Sequence, residues 1–137
     1  MAKAMLANLR AIHAELEAAM DELDLLTAAP APSPTAVTAA RTRLSKASGK
    51  RRGLFDAATN LIVETAAQPD AQRIRGLRDL NAAQLEKSTQ HIGAWGLRQL
   101  TEDWPGYVRT AAPMRQSMRD LIAADRAVLL PMLERLG

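Results

Sequence analysis

The chain has 137 residues, enough for one domain with a sizeable core. Hydrophobic residues make up 47% but aromatic ones only 3%, so closely packed alanine-rich helices are expected rather than a large aromatic-lined cofactor pocket. There is no cysteine, which excludes disulfides, zinc–thiolate sites and iron–sulfur clusters and fits a reducing compartment.

No stretch approaches ~18 uninterrupted apolar residues, and the N-terminal apolar patch is too short for a signal peptide. The expectation is a cytoplasmic protein with no membrane association. The net charge of +3 is distributed unevenly. Residues 1–27 carry two basic and five acidic side chains, whereas residues 34–67 carry six and two. Such asymmetry between neighbouring segments points to pairing within a bundle, acidic first helix against basic second.

Four helical segments are read in order. The first runs from about Lys3 to Thr27, with Leu6, Leu9, His13, Leu16, Met20 and Leu23 in a heptad seam. The prolines of "AAPAPSP" (Ala28–Pro34) end it, and Ser33 and Pro34 suit the start of the second. That segment runs to about Ala67 with a seam of Val37, Ala40, Leu44, Ala47, Arg51, Leu54, Ala58 and Leu61. "QPD" (Gln68–Asp70) breaks the chain, and the third helix runs from about Asp70 to Leu100. "TEDWPGY" (Thr101–Tyr107) turns it again, with Asp103 a cap. The fourth segment runs to about Leu136, interrupted or kinked at Pro113 and Pro131. With no strand pattern and short connections, the fold is an all-α, up-down-up-down antiparallel four-helix bundle, residues 1–137 forming a single domain whose last helix is kinked near Pro113.

Every seam contains a polar residue. The third helix presents Ile74, Leu77, Asn81, Gln84, Ser88, His91 and Trp95, and the fourth Met114, Met118, Leu121, Asp125, Val128 and Met132. Counting from the shared turns puts His13 beside Ser48 or Arg51, Arg51 beside Gln84 or Ser88, and these beside Leu121 or Asp125, to within about one turn, or ~5 Å. His91 falls a turn or two away. One reading is a buried, mutually hydrogen-bonded layer of His13, Arg51, Gln84, Ser88, His91 and Asp125 that fixes helix register. The other is a ligand site, with His13, His91 and Asp125 as the one conceivable metal set.

The C-terminal stretch "LIAADRAVLLPMLERL" resembles the last helix of hemerythrin-like cation-binding domains, whose pattern is H-x-x-x-E-E-x-x-L-F-P. Aligned on Pro131, Leu121 stands at the histidine, Asp125 at the first glutamate and Arg126 at the second. The first-helix histidine is matched by His13. The resemblance implies a four-helix bundle that in active relatives holds a non-haem di-iron site for oxygen binding or sensing. Such a site needs several histidines and a pair of carboxylates, and this chain has only His13 and His91. Arg51 stands where the second helix would supply a histidine, followed by Phe55 where a glutamate is expected. The resemblance therefore implies a degenerate member without a complete di-iron site, in which an Arg51–Asp125 ion pair replaces the metal and no cofactor is held.

Two further features carry two readings each. "ARTRLSKASGKRRG" (Ala40–Gly53) has six basic residues, with Arg43, Lys46 and Lys50 on one stripe. These suit phosphate or, more simply, the acidic residues of the first helix. Single-strand binders interleave aromatics, absent here, so nucleic acid is not the expected partner. Trp95, Trp104 and Tyr107 gather near the third turn and either line a small pocket or plug the bundle end. No nucleophile–base arrangement, P-loop, dinucleotide fingerprint or H-E-x-x-H is present. The functional expectation is a non-enzymatic bundle of interaction or regulatory type, its partner another protein or a second copy in a homodimer. The alternative is a metal- or small-ligand-binding sensor using the inner polar layer.

Overall fold

The leucine seam of the first segment produces the longest continuous burial in the molecule. In the computed structural model, which describes residues 1–65 and 67–137, helix α1 (Ala2–Thr27) buries Leu6, Leu9, Ile12, His13, Leu16, Met20 and Leu23 along one face. Helix α2 (Pro34–Thr65) starts where expected, the Val37 amide donating to the Ser33 carbonyl at 2.9 Å. The expected end near Ala67 runs across Ala66, outside the described residues. Helix α3 (Gln68–Ala94) opens with a proline in its first turn. It stops short of Leu100, the expected end, because Gly93 and Gly96 flank Trp95 with weak helix formers. The chain resumes as the short α4 (Leu97–Glu102).

Asp103 caps α5 (Trp104–Ala124), its Oδ1 accepting from the Gly106 amide at 3.1 Å. Pro113 lies inside α5, on its exposed side. The departure from α geometry comes further on, in a π-helical turn (Asp125–Leu129) leading into α6 (Leu130–Leu136). Pro131 has no amide hydrogen and its ring crowds the carbonyl four residues back. The widened turn, in which the Leu130 amide reaches the Asp125 carbonyl, relieves that conflict.

The long helices pack as an up-down four-helix bundle, with α1 against α2, α5 and α6, and α3 against α2 and α5. The seam of α2 drifts by one residue in its second half, burying Phe55 and Ile62 where a strict heptad places Leu54 and Leu61. A straight helix repeats at 3.6 rather than 3.5 residues, so this drift follows from its 32-residue length. The main core joins α1, α2, α5 and α6 with Ile74 and Leu77 of α3, and a second cluster around Leu23, Val37, Leu100, Trp104 and Tyr107 closes one end.

Helix α3 is attached differently. Of its 27 residues only Ile74, Leu77 and Gln84 are buried, while Leu80, Leu85 and Ile92 are exposed. At ~1.5–3 kcal/mol per fully buried large aliphatic side chain, it is held by far less burial than α1. No helix of the described residues is long and apolar enough to cross a membrane.

The charges of α1 pair mainly with the last helix rather than with α2. Asp24 accepts from Arg115 Nε at 2.7 Å and Arg119 Nη2 at 2.6 Å, Asp21 from Arg119 at 3.1 Å, Glu17 from Arg126, and Arg10 donates to Glu134 at 2.7 Å. Their order reverses between the two helices, as antiparallel packing demands. Between α1 and α2 the ion pair among the described residues is Arg43–Glu22. The small side chains Ala40 and Ala47 face the core, and the stripe carrying Arg41, Ser45 and Arg52 is turned toward α3.

Candidate functional site

The predicted polar residues divide into two groups. At the centre lies a sealed ionic layer. Arg51 donates from Nε to Asp125 Oδ2 and from Nη2 to Oδ1, each at 2.9 Å, and from Nη1 to Asn81 Oδ1 at 2.6 Å. His13 Nε2 lies 2.8 Å from Asp125 Oδ2. A carboxylate already paired with a guanidinium can only accept, so Nε2 carries the hydrogen of this contact. His13 Nδ1 is then left buried without a partner. His13 and Asp125 are wholly buried and Arg51 is 1% exposed. Asn81 is anchored in turn by donating to the Leu77 carbonyl at 2.8 Å. It stands at a seam position of α3 and is the member of this layer that the expected site set lacks.

This layer does not fit a di-iron centre. Both oxygens of Asp125 are engaged by Arg51, a fixed cation at the heart of the cluster. Among the described residues no group of three or more histidine, cysteine, aspartate or glutamate side chains converges as a metal would require.

Gln84, Ser88 and His91 make no hydrogen bond to that pair. They line a cleft of about 620 Å³ between α2, α3 and α5. Its floor is formed by buried Leu23, Tyr107, Ala111, Arg115 and Met118, its rim by exposed residues such as Lys46, Arg52 and Leu85. A cavity of about 20 Å³ bordered by Arg51, Asn81, Gln84 and Ser88 lies between layer and cleft. The packing of α3 on α2 is sparse, and the small side chains Ser45 and Ser48 of α2 and Ser88 and Thr89 of α3 line the space left between them without filling it.

The inner end of the cleft is electropositive. Tyr107 stacks on His91 with ring centroids 5.9 Å apart, and the Arg41 guanidinium lies 5.6 Å from the Tyr107 ring centroid while Nη2 donates to the Trp95 carbonyl at 2.6 Å. Burial, and then the charges of Arg41 and Arg115, push His91 below the ordinary imidazole range. Burial raises the Tyr107 phenol, with the same two cations opposing. Arg115 is 7% exposed; its Nε holds Asp24 and its Nη2 donates to Thr27 Oγ1 at 3.1 Å, but Nη1 has no partner. An orphaned buried donor costs ~1–3 kcal/mol.

The aromatic residues share these contacts. Trp95 and Trp104 pack on Tyr107 at 5.8 and 5.6 Å, and Trp104 Nε1 donates to the Ala29 carbonyl at 2.9 Å. The two tryptophans close the bundle end, and only Tyr107 of the three faces the cleft. Of the basic stripe, Arg43 pairs with Glu22, Lys46 sits at the cleft rim and Lys50 is exposed. Sequence reasoning did not single out Arg41 or Arg115. The available signal was spacing alone, each falling in a 4-3-4 run: Val37, Arg41, Leu44, Ser48 and Ala111, Arg115, Met118, Ile122.

Compared with family models, with curated proteins and with solved structures, the chain matches none.

Proposed function

We propose that this chain is a non-enzymatic, ligand-responsive helical bundle of regulatory type. A small molecule occupies the cleft between α2, α3 and α5, and its presence is passed to a partner through α3. The observation that carries this reading is the cleft itself. Its volume of about 620 Å³ is that of a small-molecule site, its floor is made of buried side chains and its wall α3 is the least buried long helix. The sealed layer of His13, Arg51, Asn81 and Asp125 acts as a strut that keeps α1, α2 and the last helix in register.

The likeness to hemerythrin-type bundles belongs to the same proposal. Support comes from the meeting of the first-helix His13 with Asp125, the carboxylate six residues before Pro131, around the Arg51 cation. In that light Arg51 takes the role a metal has in the family, and the sensing chemistry has moved into the neighbouring cleft. A cytoplasmic setting fits the absence of cysteine.

A thermal-shift screen of small molecules on the intact chain, run beside Ser88→Trp, tests the proposal. Ser88 lines the cleft and is only partly buried, so an indole there fills space without displacing core residues. Compounds that raise Tm of the parent and lose their effect in Ser88→Trp support it. A screen in which every stabilising compound acts equally on both proteins rejects it.

A further inference from the structure

We infer that the ligand of the cleft is an amphipathic organic anion, a carboxylate on a medium-length apolar chain, with its charged end between Arg41 and Arg115. This rests on the reading of the cleft as a binding site and adds the chemical class of what enters it.

The charge of the lining decides the sign. Arg41, Lys46, Arg52 and Arg115 contribute to the wall, and it contains no aspartate or glutamate. Arg115 is paired with Asp24, which it shares with Arg119, and Arg119 also holds Asp21, so this network balances two acids against two guanidinium groups and leaves Arg41, Lys46 and Arg52 to set the sign of the cleft. A cleft walled by protein focuses this field. Both the His91 imidazole and the Tyr107 phenol register it, since Arg41 and Arg115 act on each. Arg41, Lys46 and Arg52 come from α2 and Arg115 from α5, so the fold adds a buried arginine of a second helix to the basic run of α2.

Geometry supplies the second, independent argument. Arg115 is more than nine-tenths buried, lines the cleft, and keeps Nη1 without an acceptor. A guanidinium that spends two of its nitrogens on Asp24 and Thr27 orients the third rigidly. A carboxylate oxygen is the acceptor this arrangement lacks, and such charge-assisted bonds are the strong ones. The body of the ligand is set by what surrounds the charge. Leu44, Leu85, Met114 and Met118 also line the cleft, and methionine adapts to chains of differing shape.

Calorimetric titration of the full chain with decanoate, decanol and decyltrimethylammonium tests this inference. Decanoate is expected to bind saturably, at least about tenfold tighter than decanol, and the cation not at all. Arg41→Gln is expected to weaken decanoate about tenfold and leave decanol unchanged, while Arg41→Lys, which keeps the charge, retains most of the affinity. In the parent, decanoate raises the pH at which the His91 ring signals titrate and decanol does not, a readout that fold damage does not mimic. Ser88→Trp abolishes all binding. If decanol binds as tightly as decanoate and Ser88→Trp removes both, the cleft stands as a site and the anion class is wrong. If no probe binds in a manner sensitive to Ser88→Trp, the reading of the cleft fails and the anion class with it.

Discussion

Arg51 and Asp125, 74 positions apart in the chain, face each other as a two-pronged ion pair with both hydrogen bonds at 2.9 Å. Neither side chain reaches solvent beyond 1%. Taking two charges out of water is costly, and the pair offsets that cost only because His13 and Asn81 complete the remaining valences. The layer therefore contributes less to net stability than its bond count suggests, yet each member depends on the others.

Asp125→Ala is expected to destabilise by ~3–5 kcal/mol, since it leaves a buried guanidinium unpaired. Asp125→Ala combined with Arg51→Met should be less damaging than Asp125→Ala alone, because methionine removes the stranded charge. His13→Leu costs less than either single change, the Arg51–Asp125 pair remaining intact. Urea unfolding of Asp125→Ala, Arg51→Met, their combination and His13→Leu measures the coupling. Changes all within about 0.5 kcal/mol of the parent would show that both side chains are solvated.

The level of this layer was legible in the sequence for a simple reason. Helix rise is fixed and the first connection is short, so counting from the turns brings His13, Arg51 and Asp125 together to within a turn. The bundle itself follows from the same seams. The cleft was not legible, because it depends on how far α3 stands from α2. Ser45, Ser48, Ser88 and Thr89 all line the space between the two helices, and no one of these positions announces it in the sequence. His91 and Gln84 belong by spacing to the seam, and only the standing-off of α3 reveals that they face the cleft rather than Asp125. The charge partners of α1 were equally hidden. Composition pairs an acidic helix with a basic one, whereas contact geometry gave Asp24, Asp21 and Glu17 to arginines of the last helix.

Stability should rise with pH in two windows. Burial lowers His91, aided by Arg41 and Arg115. For Asp24, burial raises the carboxyl, but hydrogen bonds from Arg119 and Arg115, with their charges, outweigh it and hold it low. Both groups therefore bind protons less readily folded than unfolded, and the unfolded chain takes up more protons in each window. The His91 contribution is complete above its ordinary value of 6.5 and is lost as pH falls through its folded value. That of Asp24 is complete above 3.8 and is lost below it. Urea midpoints measured against pH should show both declines, and His91→Gln should remove the upper one alone.

The cap of α5 predicts a change of sign. A Cβ built on Gly106 would collide with the Asp103 carboxylate, so alanine there expels the group that accepts from the Gly106 amide. Asp103→Ala should cost about 1 kcal/mol. Gly106→Ala should destabilise the parent, yet be neutral or stabilising by up to ~1 kcal/mol once Asp103 is alanine, where only helix propensity remains. Thermal unfolding of the two single variants and the double variant decides it. Equal effects of Gly106→Ala in both backgrounds would mean that the cap bond is not formed.

The basic run of α2 should not bind nucleic acid at physiological salt. Arg43 is occupied by Glu22, Lys46 borders the cleft, and no aromatic side chain lies between them to stack on a base. Fluorescence anisotropy with labelled single-stranded and duplex DNA measures this directly. A tight complex whose affinity falls steeply with salt, and which disappears when Arg43, Lys46 and Lys50 are changed to glutamine, would contradict it.

Helix α3 should be the first long helix to open. Its three buried residues contrast with the continuous apolar face of α1, and its tie to the ionic layer is the single Asn81–Arg51 bond. Local opening is cheapest where few apolar contacts are lost, so backbone amides of the second half of α3, beyond Gln84, should exchange much faster than those of α1 between Leu9 and Leu23. Asn81→Leu cuts the tie while adding apolar surface beside buried Leu77, and should leave α1 exchange unchanged while speeding that of α3 next to residue 81. Hydrogen exchange resolved by peptide or by residue gives both comparisons. Protection equal along α1 and α3 would mean that the bundle opens as one unit, and α3 could not then serve as the wall that moves when the cleft fills.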